Sequence, residues 1–231
     1  MISENIARVR QRIVEVCARA GRDPSEVAVI AVSKTFPVEV IRDAIRAGIA
    51  DIGENYVQEL GRKRAALEQE PVRWHFIGHL QSNKVKNIAP WISVIHSVDS
   101  PSLAREIDRQ GTRAGRVIDA LVEVNTTGEA SKFGLPPAQV PAFLRELKGL
   151  DAIRICGLMT IGPFLPDPEG SRPMFRHLRE LARQVAGLGQ ANVQIRHLSM
   201  GMTGDFEVAI EEGATMIRVG TAIFGTRPKP L

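Results

Sequence analysis

The feature that most limits what this chain can fold into is a regular alternation between short apolar runs and longer segments of helical spacing. VAVIAVS is followed by PVEVIRDAIRAG, IADIG by NYVQELGRKRAALEQE, RWHFIG by QSNKVKNIA, and WISVIHSV by SPSLAREIDRQG. The pattern continues with IDALVEVN, IRICGLMT, IRHLSM and TMIRVG, each again followed by a helix-like segment. Apolar runs as continuous as Val27 to Ser33 suit strands buried on both faces, which is a property of parallel sheets. Parallel strands need crossovers, and eight such units in 231 residues favour closure into an α/β fold of the (β/α)8 TIM-barrel type. An open doubly wound sheet is the alternative. Ahead of the first strand, Ile6, Val9, Ile13, Val16 and Cys17 fall at helical spacing. They predict a lead-in amphipathic helix, with Ser3 as its cap and Gly21 and Pro24 as its stop. No linker or low-complexity stretch interrupts the pattern, so residues 1–231 are read as one domain.

Composition excludes several classes of function. The net charge of +4 is modest, and the arginines are spread through helix-like segments rather than gathered in a tract. With one tyrosine, two tryptophans and no aromatic-interleaved basic segment, the chain does not read as a nucleic-acid binder. A small anionic ligand suits the charge equally well. Cys17 and Cys156 form neither a disulfide framework nor a spaced zinc set, and no hydrophobic leader or long apolar span is present, which points to a reduced, cytoplasmic setting without a membrane. His75 and His79 are four apart in WHFIGH, a spacing that serves a metal on a helix but not in a strand running into a loop. No metal site is expected.

In a barrel the C-terminal strand ends converge on one mouth, where the chemistry sits. Lys34, Asn55, His79, Asn125, Met159, Ser199 and Gly220 fall at or just beyond such ends. Lys34 in AVSKTFP closes an apolar run, where a low dielectric favours a neutral amine able to attack a carbonyl. Its bland reading is a solvated loop lysine. SMGMTGDF and RVGTAIFG offer Ser199, Gly201, Thr203, Gly204, Gly220 and Thr221, whose hydroxyls and close-approaching backbone amides fit a phosphate. Ser199 or Thr203 acting as an ordinary helix cap is the competing reading. Period two puts Met216, Arg218 and Gly220 on one face of the last strand, so Arg218 either faces the ligand or pairs with Glu211 or Glu212. An amine, an anion cradle and an arginine are together what pyridoxal 5'-phosphate requires.

Those residues also carry a resemblance. AVSKTFP, GENYVQE, WHFIGHLQSNK, SKFG, GLMTIGP, LSMGMTGDF and IRVGTAIFG occur in the order found in the pyridoxal-phosphate homeostasis proteins, whose barrel is similar to the alanine racemase N-terminal domain. The resemblance covers nearly the whole chain. It implies that Lys34 is the Schiff-base lysine, that Ser199, Met200, Gly201 and Met202 with Gly220 and Thr221 hold the phosphate, that Arg218 faces the pyridine nitrogen, and that Asn55 lies beside the ring. Some members carry a second lysine where this chain has Phe36. Lys132 and Lys229 resemble secondary cofactor contacts or are solvated loop residues.

Fold similarity to a racemase does not establish racemisation, which needs an acid or base on each side of the cofactor plane. Lys34 serves one side. Alanine racemase takes the other group, a tyrosine, from a partner subunit's C-terminal domain, whereas this sequence stops soon after strand eight and has only Tyr56, whose ring packs in the core or reaches the substrate. An arginine at the ring nitrogen leaves it unprotonated and a weak electron sink. The expected function is therefore a monomeric binding protein that holds pyridoxal phosphate reversibly on Lys34 and supports its supply, with PLP-dependent apoenzymes as recipients. The alternatives are a monodomain amino-acid racemase and an interaction protein signalled by its cofactor.

Overall fold

In the computed structural model, which describes residues 1–129, 132–163 and 165–226, the eight apolar runs form eight parallel strands. They are β1 (Ala28–Val32), β2 (Asp51–Glu54), β3 (Arg73–Phe76), β4 (Val94–Val98), β5 (Ile118–Glu123), β6 (Ile153–Met159), β7 (Val193–Met202) and β8 (Met216–Val219). They pair in sequence order, and β8 returns to β1 to close the barrel. Closure excludes the open sheet: Ala28 to Ala31 lie against Met216 to Val219, leaving no free edge between first and last strands.

The helices are α1 (Ile2–Ala20), α2 (Val38–Arg46), α3 (Val57–Ala66), α4 (Pro101–Arg113), α5 (Val140–Glu146), α6 (Arg172–Val185), α7 (Phe206–Glu211) and α8 (Thr221–Phe224). α1 buries Ile6, Val9, Ile13, Val16 and Cys17, the stripe that the spacing picks out, and ends at Gly21 in the left-handed conformation, φ 64°. Its start differs from expectation, since Ser3 lies inside the helix and Met1 takes the capping position. QSNKVKNIA forms only a 3-10 turn over Ser82–Asn87, so β3 and β4 are joined without an α-helix. The apolar stripe of that segment is too short to reward a longer one.

Two cores result. The larger lies between barrel and helices and takes residues such as Ala31, Ile52, Ile95, Leu158 and Val219. The smaller fills the barrel itself with Ile30, Val94, Leu121, Cys156, Met159 and Met216. The alternation along β8 is thus as period two requires, Met216 inward and Ile217 and Val219 outward. Cys17 and Cys156 sit in different cores, and burial pushes the Cys156 thiol up to about 12.

β6 and β7 slip register beside Gly157, which faces His197. A Cβ at Gly157 would lie 2.0 Å from the His197 carbonyl oxygen. Gly157→Ala should therefore lower the unfolding free energy by about 1–3 kcal/mol, read as a lower urea midpoint at unchanged slope. A midpoint equal to wild type would mean that the strands separate at no cost.

Candidate functional site

Lys34 follows β1 in a tight turn at the barrel mouth and is half-buried. The next residue, Thr35, has φ 72°, a conformation that a β-branched residue adopts only under constraint. The constraint is visible in the residues on either side of Lys34. Lys63, from α3, is 5% exposed and donates to the Ser33 carbonyl at 2.7 Å, to Glu54 Oε1 at 2.6 Å and to Glu59 Oε1 at 2.7 Å. Ser33 Oγ donates to the same Glu54 oxygen at 2.5 Å, and the Thr35 amide donates to Glu59 Oε1 at 2.7 Å. Both neighbours of Lys34 are thereby tied to one buried ionic cluster behind the sheet. Burial pushes the Glu54 carboxyl up despite its bonds to Lys63 and Ser33. Phe36 packs on Phe224 of α8, ring centroids 5.1 Å apart, which joins the Lys34 turn to the end of the last helix.

The loops after β7 and β8 lie beside that turn. A Cβ on Gly220 would meet the Val32 carbonyl oxygen at 3.3 Å, so this glycine runs close along the end of β1. Gly201 has φ 87° and presses on α7, where a Cβ would come 2.5 Å from that of Ala209. The capping reading does not hold for either hydroxyl. Ser199 lies within β7, and Thr203 Oγ1 accepts from the Ala222 amide of α8 at 3.4 Å, linking the two loops. Asp205 occupies the capping position of α7 and accepts from the Met202 amide at 2.7 Å. The amides of Thr203 and Gly204 have no acceptor among the described residues. Met200 points its side chain into the outer core, fully buried, so it has only backbone to offer a ligand.

The Ser199 hydroxyl is not available as an anion donor, a correction to the sequence reading. It is wholly buried, accepts from Arg218 Nη1 at 2.7 Å and sits 2.9 Å from His96 Nδ1. Arg218, 4% exposed, also donates to the Thr160 carbonyl at 2.8 Å. Its expected alternative partners lie elsewhere: Glu211 and Glu212 pair with Arg172, and Glu212 also with Arg176 and Arg179. Burial lowers Arg218 to about 10, with Glu123 and Asp205 acting in the opposite sense, so it is a cation at neutral pH. Below it the polar groups continue inside the barrel. His96 Nε2 lies 2.9 Å from His75 Nδ1, and His75 Nε2 lies 2.9 Å from Asp51 Oδ1, whose carboxylate is held by Arg73 at 2.6 Å. His75 is thus part of the barrel interior. No group of three or more metal-ligating side chains occurs among the described residues.

Other mouth residues complete the setting. Asn55 follows β2, and its Oδ1 is buried without a hydrogen-bond partner. Gly78 presses against it, since a Cβ there would lie 2.3 Å from the Asn55 carbonyl oxygen. Tyr56 is 62% exposed and does not pack in the core. Asn125 organises the loop after β5, accepting from the Thr127 and Gly128 amides and donating to the Glu129 carbonyl. Lys132 pairs with Glu129 at 2.9 Å, while Lys229 lies outside the described residues. His79 stacks on Phe133, centroids 4.0 Å apart, and its Nδ1 is 3.7 Å from Asp99. Glu123 at the end of β5 is 6% exposed and aligned across the strands with Met159 and Ser199. Burial first, then the charge of Asp99, raises it to about 7 against the pull of Arg218.

Sequence reasoning missed Glu123, His96, Asp51 and Lys63. Inward parity at β4 and β5 marks His96 and Glu123 as barrel-facing. The 3.6 period of α3 puts Lys63 four residues after Glu59 on the face toward the sheet.

Two outcomes follow from these environments. Lys63→Met leaves the buried Glu54 charge without its cation and should cost about 3–5 kcal/mol in urea unfolding. Adding Glu54→Gln should recover a large part, and no recovery would show the cluster to be incidental. Glu123 has a folded-state value above its unfolded one of 4.5, so the stability from its protonated form is complete below pH 4.5 and is lost as the pH rises toward 7. Wild type should therefore lose about 3 kcal/mol over that window relative to Glu123→Gln. Parallel pH profiles for the two proteins would contradict this.

Comparison with known proteins places the chain. The model of the alanine racemase N-terminal domain matches residues 4–228. The pyridoxal phosphate homeostasis protein of Aquifex aeolicus is 45% identical over 224 residues, covering 97% of both chains. The structure of PipY from Synechococcus elongatus, described with PLP bound, superposes with a TM-score of 0.84 at 36% identity, over 97% of this chain and all of that one. Alanine racemase from Clostridium difficile shares the fold, with a TM-score of 0.71 at 14% identity over 95% of this chain and 60% of its own. A braced lysine turn, two glycine loops and an inward arginine on a closed barrel accord with these likenesses, and the chain belongs to the alanine racemase N-terminal-domain family and, within it, to the pyridoxal phosphate homeostasis proteins.

Proposed function

We propose that this chain binds pyridoxal 5'-phosphate at the barrel mouth as a reversible Schiff base on Lys34 and serves the intracellular supply of the cofactor. The observation that carries the reading is the packing of three parts on adjoining strands: the braced Lys34 turn of β1, the Gly220 loop of β8 against Val32, and Arg218 beneath them. The residues present fit the group. Gly201 packs on α7 as closely as only glycine can and Gly220 runs close along the end of β1, which brings both loops beside the Lys34 turn, and Asn55 Oδ1 is a buried acceptor without a donor. The curated relative is named for pyridoxal phosphate homeostasis, and the 36% identical PipY is described with PLP bound.

When bound, the cofactor supplies an aldehyde for amine linkage and an electron-withdrawing ring. The chain's own residues do the rest. Lys34 provides the amine in a turn with little freedom to move. The backbone of 199–204 with Gly220 and Thr221 receives the phosphate, while the Ser199 hydroxyl acts through Arg218. Arg218 would face the ring nitrogen as a donor and keep its own proton, which would leave the ring a weak electron sink. Transfer of the cofactor between amines needs no carbanion, and that favours holding and release over racemisation. PLP-dependent apoenzymes are the recipients this reading implies, with the protein acting as a cytoplasmic monomer.

Racemisation is the second reading, and one observation speaks for it: Glu123, raised to about 7, is a mouth carboxyl able to exchange a proton near neutral pH.

Wild type mixed with pyridoxal phosphate should show a visible absorption band that Lys34→Ala lacks, and borohydride reduction should fix the cofactor on Lys34 in peptide mass maps. Cofactor found on Lys132 instead would refute the site. Sustained interconversion of amino-acid enantiomers, lost in Lys34→Ala and in Glu123→Gln, would replace the carrier reading by the racemase one.

A further inference from the structure

Asp51, His75, His96, Ser199 and Arg218 are joined end to end inside the barrel, at 2.9, 2.9, 2.9 and 2.7 Å in that order. Asp51 opens β2 at the barrel floor, beside a cavity of about 610 Å³ that it lines with Arg73 and His197 under α1. Arg218 lies toward the mouth. Each of the five is at most 6% exposed, so their hydrogen bonds must be satisfied within the protein: by one another, by Arg73 at Asp51 and by the Thr160 carbonyl at Arg218.

That requirement fixes every proton. Arg218 only donates, so Ser199 Oγ is an acceptor toward it. The Ser199 hydroxyl proton then has one available acceptor, His96 Nδ1. Burial, and after it the neighbouring His75 and Arg218, hold His96 well below the usual imidazole range, so its ring is neutral, and with Nδ1 accepting it carries its proton on Nε2. That proton points to His75 Nδ1, which leaves the His75 proton on Nε2, facing Asp51. Although burial opposes its charge, Asp51 is held below the ordinary carboxylate range by His75 and Arg73. The two ends agree: a group that only donates at the mouth and one that only accepts at the floor permit a single ordering. The reverse ordering would leave the buried Ser199 proton without an acceptor. Space-filling alone does not call for these groups, since the rest of the interior is filled by Ile30, Val94, Leu121, Cys156, Met159 and Met216.

We propose that Asp51, His75, His96 and Ser199 form a proton-ordered positioning chain that fixes, from the barrel floor, the orientation in which Arg218 presents its guanidinium at the mouth. Only the last step, in which that guanidinium meets the cofactor ring nitrogen, rests on the function proposed above. His75 is a positioning residue acting through His96 and Ser199, and it touches no ligand.

The test uses the full chain labelled with 15N. In unliganded wild type, His96 should be protonated on Nε2 and the Arg218 guanidinium N–H signals should exchange slowly. His75→Leu removes both ring nitrogens, so His96 should interconvert between tautomers and the Arg218 N–H exchange should quicken about tenfold. His75→Gln, whose amide donates to Asp51 and accepts from His96, should restore both. With pyridoxal phosphate added, the absorption maximum should shift in His75→Leu and return in His75→Gln, with Kd about tenfold weaker in the former. His96 protonated on Nδ1 in wild type, or Arg218 signals unchanged in a folded His75→Leu, overturns the proposal. Should that variant fail to fold, Asp51→Leu removes the terminal acceptor at the floor and is read in the same way. A wild type that takes up no pyridoxal phosphate sinks the cofactor reading, while the Arg218 signals of the unliganded chain still decide the positioning chain.

Discussion

A guanidinium held at 4% exposure inside a closed barrel has to be satisfied from within, and much of the interior is arranged around that need. Arg218 cannot shed its proton as a buried lysine can, so neutralising it is not open to the fold. Its donors go to Ser199 and Thr160, and the polar chain beyond Ser199 leads to the Asp51–Arg73 pair at the floor. The apolar interior residues pack around this line rather than replacing it. A barrel whose centre served stability alone would be better filled with branched aliphatics, because desolvating charges costs more than packing them returns.

The Lys34 turn meets the same physics from the other side of the sheet. Thr35 sits in a conformation that costs a β-branched residue of order 1–3 kcal/mol, and it is held there by Glu59, which Lys63 ties to Glu54 and Ser33. The cluster is outside the barrel, under α3, and ties down both neighbours of Lys34. The two lysines therefore divide the labour: Lys63 is buried as a permanent ion-pair partner, while Lys34 is presented at the mouth. Phe36 packing on Phe224 adds an apolar tie between this turn and the Gly220 loop. The Lys34 turn and the loop after β8 are thus coupled through packing as well as through β1–β8 pairing.

Glu123 and Asp99 place two carboxyls at the mouth, and burial keeps Glu123 protonated up to about pH 7. Burial also raises Asp99. A carboxyl that is neutral through most of the acidic range does not repel a phosphate, and near neutrality it is able to exchange a proton. Arg218 opposes the rise and Glu123 in turn supports the charge of Arg218, so substituting either moves the other.

The sequence by itself determined the barrel. Eight apolar runs with crossovers leave few topologies, and local period two placed Met216, Arg218 and Gly220 inward without reference to any other strand. It also placed Lys34 and the glycine loops at the mouth, because strand polarity alone says which end is which. What it could not settle were the partners. Ser199 reads equally as cap, anion donor or buried link, and Glu211 reads as a plausible mate for Arg218, because a serine or a carboxylate does not announce which distant strand it will face. Register did that. It set Glu123, Met159 and Ser199 level, and the closed interior brought His96 between Ser199 and His75. Hydrogen-bond direction and charge state depend on contacts between residues as far as 103 positions apart in sequence, and those exist only once the barrel has closed.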